Sequence, residues 1–272
     1  MKYDVFLCDF DGTLVREDGT VSEENKRAIT EYREQGGIFA ICTGRMMKSI
    51  RARLSELGLT EGLVAAFHGA QIADIASGKL LLNSTFREEE ILEILRFMEA
   101  HSMRFQIYVG EEFIANQDSA LLKVYESICR VKARISEGLL SDMVAANHFK
   151  VVKTLAVCTE EEMPVVTKLL TEKFGEKYYV ATSSSYLVEI MPKGVNKANA
   201  VRFLSEYYGV PTCRIAAIGD HMADIPMLAE AGGRFAVENA VEELKEIATV
   251  VPSVEEDGVA YALRNFAMGE KS

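Results

Sequence analysis

Two carboxylates one residue apart, Asp9 and Asp11, stand where an apolar run gives way to a turn: Tyr3-Asp4-Val5-Phe6-Leu7-Cys8 precedes them and Gly12-Thr13 follows. The run reads as a mostly buried strand and the glycine as its end, which puts both acids at the carboxyl edge of a sheet, where open α/β sheets bind ligands. Side chains at i and i+2 of a strand point the same way, so Asp9 and Asp11 are expected to reach one ligand together. Like charges so close are costly unless a cation or a shared proton relieves them. Mg²⁺, bound by one or two carboxylates plus substrate phosphate, is the hard ion suited to that task, and phosphoryl transfer is the chemistry it suggests. Taken alone, D-x-D-G reads first as an ordinary acidic turn. An EF-hand loop is excluded, because its third acidic position falls on Thr13 and its required glycine on Leu14.

Three further clusters share that placement at strand ends or helix starts. Thr43-Gly44-Arg45 combines a hydroxyl, a glycine that lets backbone N–H groups approach, and a guanidinium, where a helix N-terminus would offer phosphate its positive end. The same residues also read as a helix cap by Thr43 with Arg45 on the surface. Lys197 falls in the first turn of a helix opened by Lys193-Gly194-Val195-Asn196; a cation there opposes the helix dipole by about 0.3–1 kcal/mol. A solvated lysine is the common outcome, yet a phosphate-facing one would justify the placement. Asp220 follows the apolar Ile215-Ala216-Ala217-Ile218, and Asp224 lies one helical turn on, so both carboxylates can face one site; Asp220 as an N-cap is the alternative. His221 has no sequence partner and reads as solvent-facing, and His68, in Phe67-His68-Gly69-Ala70, as a loop or pocket-rim residue rather than a catalyst. No Walker A loop, G-x-G-x-x-G after a strand, G-x-S-x-G elbow or H-E-x-x-H occurs.

The elements that must position these residues follow from periodicity. Ser22 is a plausible N-cap for a helix near 23–35, Ile38 to Cys42 a short strand, 46–57 a helix, Leu63 to Ala66 a strand, and 71–76 with 79–82 a hairpin. This βαβαβ alternation predicts a doubly wound, mainly parallel α/β sheet with helices on both faces. Residues 84–190 differ. A helix near 87–101 carries Ile91, Leu92, Ile94, Leu95 and Met98 at helical spacing, then come strands near 103–109 and 112–116, a helix-containing stretch, a strand near 149–158, a helix near 161–174, and paired strands near 177–182 and 186–191. Adjacent strands without intervening helices predict an antiparallel sheet covered on one face, an inserted α+β domain. Alternation resumes with a helix near 195–208, a strand at 214–218, a helix near 223–231 and a strand at 234–237. The expected division is a discontinuous core, 1–83 with 191–272, and an insert, 84–190.

Length and composition bound the rest. A chain of 272 residues with 49% hydrophobic and 26% charged content can bury a sizeable core as one large or two modest domains. Thirty basic against 41 acidic residues, net −11, disfavour nucleic acid as partner. No apolar run approaches the roughly 18 residues of a membrane span, and Asp4, Asp9 and Asp11 interrupt any signal-peptide pattern, so the cytoplasm is the expected compartment. Five cysteines without a C-x-x-C pair suggest free thiols, with Cys8, Cys42, Cys158 and Cys213 expected to be buried. The four scattered histidines indicate no structural zinc. No obligatory protein partner is evident.

With these residues in place the chain resembles the haloacid dehalogenase superfamily of phosphotransferases, specifically the Cof-type sugar-phosphate phosphatases. Four motifs match in order: Asp9 to Thr13, Thr43 to Arg45, Lys197, and Asp220 with Asp224. The resemblance implies a Rossmann-like core whose inserted cap closes over it, recognising substrate through loops roughly at 116–148 and 183–185. It implies that Asp9 is the nucleophile forming an aspartyl-phosphate and that Asp11 is the general acid and base. It implies that Asp9, the main-chain carbonyl of Asp11, and Asp220 hold Mg²⁺, with Asp224 orienting metal-bound water or Lys197 from behind. Phe10 N–H, Thr43, Gly44 N–H, Arg45 and Lys197 would bind the phosphoryl group or substrate. The substrate implied is a small phosphorylated metabolite, with a phosphomutase or a phospho-ligand-binding regulatory protein as alternatives. Two positions depart from the family pattern: Ala223 replaces an asparagine and His68 stands where Asn-Gly-Ala is usual. Loss of one charge-assisted contact would cost about 1.5–3 kcal/mol.

Overall fold

The structure, a computed structural model, describes residues 1–268 other than the side chain of Ser183, so the specificity expectation for that side chain lies outside the described residues. Val5–Asp9 (β1) is buried along its length, as a strand inside a parallel sheet must be. The Ser22 hydroxyl accepts the Asn25 N–H at 3.0 Å and so caps Glu23–Glu34 (α1), whose first-turn Glu23 and Glu24 complement the helix dipole. Ile38–Cys42 (β2), Met47–Glu56 (α2), Leu63–Ala66 (β3), Gln71–Asp74 (β4) and Leu80–Asn83 (β5) follow. Next come Glu88–Ala100 (α3), Phe105–Val109 (β6), Glu112–Ala115 (β7), Ala120–Cys129 (α4), Arg134–Ile135 (β8), Leu140–Asn147 (α5), Val151–Val157 (β9), Met163–Phe174 (α6), Tyr179–Ser184 (β10) and Leu187–Met191 (β11). The chain ends with Ala198–Tyr208 (α7), Ile215–Gly219 (β12), Ile225–Glu230 (α8), Gly233–Val237 (β13), Glu242–Lys245 (α9), Thr249–Val251 (β14) and Gly258–Ala262 (α10).

Two compact units result. The first comprises Met1–Gly44, Ile50–Leu82 and the chain from Asn196 onward; the second comprises Arg45–Ser49 and Asn83–Val195. Periodicity placed the later junction at 190/191, but the turn after β11, with Val195 N–H bonded to Pro192 O, still belongs with the insert. Arg45 likewise groups with the second unit.

The first unit is a doubly wound α/β sheet in the order β14-β13-β12-β1-β2-β3-β4-β5, parallel from β14 to β3 and turning antiparallel at β4. From β1 the chain adds β2 and β3 on one side, and later lays β12, β13 and β14 on the other. Right-handed crossovers then put the helix linking β1 to β2 on one face and the helix linking β12 to β13 on the opposite face. The winding therefore reverses between β1 and β12, and a crevice at a sheet's carboxyl ends opens at such a reversal. Phe6, stacked on both Phe39 and Phe235 at 6.1 Å between ring centroids, ties strands from either side of the reversal into one core.

The second unit is an α+β domain whose sheet runs β10-β11-β9-β6-β7-β8. Its pairs are antiparallel except β7 with β8, where the chain returns in parallel after α4. That corrects the expectation of a purely antiparallel sheet. The strand β8 lies in the helix-containing stretch, and its two residues, Arg134 and Ile135, give no alternation to read. One sheet face presents Phe105, Ile107, Ile114, Ala156, Val188 and Ile190 to a core shared with the apolar stripe of α3 and with α5 and α6. The other face mixes apolar residues such as Phe113 and Leu155 with buried polar ones: Lys153 pairs with Glu189 at 3.0 Å, and the Gln106 amide donates to the Tyr108 hydroxyl at 2.7 Å. Burial of the charge is offset by that pairing and by the Tyr108 ring, 5.1 Å from the ammonium.

Cys8, Cys42, Cys129 and Cys158 are buried, but Cys213 is exposed. It sits in the turn Thr212–Arg214 that precedes β12, not on the strand itself, and so escapes the strand's burial. No helix among the described residues is long and apolar enough to cross a membrane.

Two outcomes follow for stability and reactivity. Lys153→Met leaves Glu189 buried without its ammonium and should cost about 3–5 kcal/mol in denaturant unfolding, whereas Lys153→Met/Glu189→Leu should cost clearly less. In the native protein a thiol reagent should modify Cys213 fast and the other four cysteines only on unfolding; peptide mapping of labelled cysteines checks this.

Candidate active site

The site grows from the reversal point. β1 ends at Asp9, whose carboxylate is 6% exposed, and β12 ends at Gly219, directly before Asp220. Lys197 is the N-cap of α7 rather than a member of its first turn. Its ammonium donates to Asp9 Oδ1 and to Asp224 Oδ1, each at 2.5 Å. All three side chains are nearly inaccessible, Lys197 at 4% and Asp224 at 0%. The cation that local helix electrostatics disfavours is thus held by two carboxylates from distant segments.

Asp224 does two jobs. Its Oδ2 accepts the backbone N–H groups of Asp220 and His221, at 3.1 and 2.9 Å, which closes the turn Met222–Asp224 ahead of α8. Its Oδ1 is left for Lys197. Asp220 does not cap the helix; its Oδ1 accepts the Thr13 hydroxyl at 2.8 Å and its carbonyl accepts Val241 N–H at 2.9 Å. Gly12, at φ +80°, brings the first turn against this acid so closely that a Cβ would lie 2.6 Å from Asp220 Oδ2. Only glycine satisfies both demands.

Asp11 stands differently from its expected place. The strand stops at Asp9, the chain turns back so that Asp11 bridges Val15, and the Asp11 side chain is exposed. The shared-face geometry of i and i+2 therefore does not apply across these two residues. Phe10 between them is fully buried, its carbonyl accepting the N–H groups of Leu14 and Val15 at 3.2 and 2.8 Å. Thr43 is buried after β2, its N–H on Ala65 O at 2.8 Å and its carbonyl accepting His68 N–H at 2.9 Å. Gly44 has a reason beyond phosphate access: a Cβ there would lie 2.6 Å from His68 Cε1. Ala223 lies half-buried in the turn before Asp224 and offers no amide, and His221 is exposed. Thr13 and His68 are contributors that periodicity could not assign, although Thr13 stood inside the first motif.

Electrostatics make the site hungry for positive charge. Oxygens of Asp9, Asp220 and Asp224 all lie within 4.8 Å of one another. At an effective dielectric near 20 each such pair repels by roughly 3–4 kcal/mol. Burial pushes the Asp9 carboxyl well up, Lys197 opposes that, and the Asp224 and Asp220 charges add to it. Asp220 is also pushed up by burial, partly countered by the Thr13 hydrogen bond. Burial alone would pull Lys197 down, but the Asp224 and Asp9 charges outweigh it and hold the ammonium well above its ordinary range. One ammonium against three carboxylates leaves excess negative charge, and all-oxygen donors this close suit a hard divalent cation such as Mg²⁺.

Comparison with known proteins gives the family. Residues 6–263 match the family model of haloacid dehalogenase-like hydrolases. A Bacillus subtilis protein named 5-amino-6-(5-phospho-D-ribitylamino)uracil phosphatase YwtE is 28% identical, over 96% of this chain and 97% of its own. A solved structure from Thermotoga maritima superposes with a TM-score of 0.88 at 28% identity, covering 98% of each chain. A HAD/COF-like hydrolase from Plasmodium vivax superposes with a TM-score of 0.83 at 25% identity, covering 97% of this chain and 95% of its own. The chain belongs to the haloacid dehalogenase-like hydrolases, and within them to the Cof-type phosphoric monoester hydrolases.

Proposed function

We propose that this enzyme is a Mg²⁺-dependent phosphatase of small phosphorylated metabolites, sugar phosphates first among them, acting through an aspartyl-phosphate on Asp9. The observation that carries the reading is the Lys197 ammonium bonded at once to Asp9 and Asp224, beside Asp220, at the sheet's reversal point. An ammonium has three donors; two serve the carboxylates and the third is available to a phosphoryl oxygen. Lys197 would thereby align the phosphoryl group with the Asp9 oxygen that attacks it.

In the first half-reaction the Asp9 carboxylate attacks phosphorus and the ester P–O bond breaks, while Asp11 protonates the leaving alcohol. In the second, Asp11 takes a proton from water as that water attacks phosphorus, and the bond to Asp9 breaks to release orthophosphate. The exposure of Asp11 beyond the strand end suits a group that meets the leaving alcohol and then water. Phe10 N–H, Thr43 and Gly44 N–H would cradle the phosphoryl oxygens, with Arg45 reserved for substrate. Asp9, the Asp11 carbonyl and Asp220 would hold Mg²⁺, which when bound neutralises phosphate charge and the excess charge of the acids. Asp224 keeps Lys197 in place. Support for a phosphorylated sugar-like substrate comes from the relative whose name places its phosphate on a ribityl chain.

A panel of phosphorylated metabolites assayed with Mg²⁺ and with EDTA tests the reading. Phosphate release should need the metal and should fall by at least roughly a thousandfold in Asp9→Asn; metal-dependent release that survives Asp9→Asn contradicts the mechanism. Isomerised sugar phosphate as the product would make the protein a mutase instead, and binding without release a phosphate-binding module. A second outcome concerns the missing amide: Ala223→Asn should tighten phosphate binding by about tenfold, seen as a lower inhibition constant for orthophosphate. Unchanged inhibition and turnover would show that the position lies outside the phosphate's reach.

A further inference from the structure

Between β3 and β4 the chain passes through Phe67, His68 and Gly69 with φ of 48°, 53° and 88°. Three successive left-handed residues are unusual, and a bulky Phe among them is a true outlier, retained only when the surroundings over-determine it. Hairpin loops do use φ > 0, but with Gly, Asn or Asp there; a Phe and a His in succession must be held by what surrounds them.

What the strain accomplishes is visible in what the loop touches. The His68 N–H donates to Thr43 O at 2.9 Å, and the imidazole lies on Gly44: a Cβ built there would be 2.6 Å from Cε1 and 2.7 Å from Nε2. Gly44 is not itself left-handed, so the obstacle to a side chain there is the ring, which would have to shift to admit one. On its far side the loop abuts the start of the Lys197 helix, where a Cβ on Gly69 would lie 3.0 Å from Asn196 O and 3.5 Å from Ala200 N. One strained loop thus braces both segments that carry the phosphate ligands assigned above.

We propose that His68 is a positioning residue for phosphate: its imidazole, laid against Gly44, fixes the Thr43–Gly44 peptide so that the Thr43 hydroxyl and Gly44 N–H meet the transferring phosphoryl group. This rests on the phosphatase reading. Gly44 and His68 form a coupled pair, in which the absence of a side chain at one position is matched to the ring at the other.

The test is a double-mutant cycle on the full chain, with Mg²⁺ present, reading the dissociation constant of orthophosphate by calorimetry, KM and kcat for a hydrolysed phosphate ester, and the thermal midpoint. His68→Gly removes the ring and relaxes the backbone, so it should fold at least as stably as the wild type while binding phosphate about tenfold more weakly, with a KM raised in step. His68→Asn, whose residue type tolerates the left-handed backbone, should show the same loss. Gly44→Ala collides with the ring and should bind phosphate more weakly still, and Gly44→Ala/His68→Gly, with the collision removed, should recover to the His68→Gly value. Phosphate affinity and kcat/KM of His68→Gly and His68→Asn equal to wild type overturn the proposal, as does strict additivity of the two changes. Should the wild type itself neither bind nor release phosphate, the phosphatase reading falls and this proposal with it, and that failure shows in the wild type alone.

Discussion

A single ammonium shared between two buried carboxylates holds the first unit's site together. Lys197 reaches Asp9 at the end of β1 and Asp224 at the start of α8, and that pairing offsets part of the cost of burying the three charged groups. The partners come from segments far apart in sequence, 188 residues in one case and 27 in the other, so the insertion of an entire second unit has to leave the return path to α7 undisturbed. The doubly wound sheet supplies that path. Its winding reverses between β1 and β12, and the strand ends that converge there deliver Asp9 and Asp220, while β2 delivers Thr43.

The rest of the site is arranged around the charge that Lys197 leaves uncompensated. Thr13 donates to Asp220, the backbone of the 220–221 turn donates to Asp224, and Gly12 permits the approach of the first turn to Asp220. Each is a neutral dipole directed at a carboxylate. Dipoles of this kind moderate the repulsion among three acids but cannot cancel it, and a group of acids of this kind could hold a divalent cation.

Much of this was legible because the chemistry-bearing residues sit in short local motifs at the ends of strongly apolar strands, and periodicity locates such ends well. The Ser22 cap, the apolar stripe of α3 and the alternation around 214–237 are of that kind. Failures arose where the outcome depends on contacts across the fold. Strand geometry does not extend to Asp11, two residues past the end of β1, and nothing local says that β1 stops at Asp9. The ring that lies against Gly44 belongs to His68, in a loop after the next strand, and no local pattern connects the two. Cys213 sits beside an apolar run but in the turn before it, and the brief strand β8 has too few residues for any period to register. The Thr13 hydroxyl on Asp220, and the backbone N–H groups that Asp224 accepts, likewise depend on contacts that no local pattern shows.

The nucleophilic role proposed for Asp9 is tested most directly by trapping the acyl-phosphate it would form. Borohydride added during turnover should reduce that group to homoserine, and peptide mass analysis should find the change at Asp9 in the wild type and a much smaller yield in Lys197→Met. Sustained turnover with Asp9 unmodified, or with the mark on another carboxylate, would contradict the assignment.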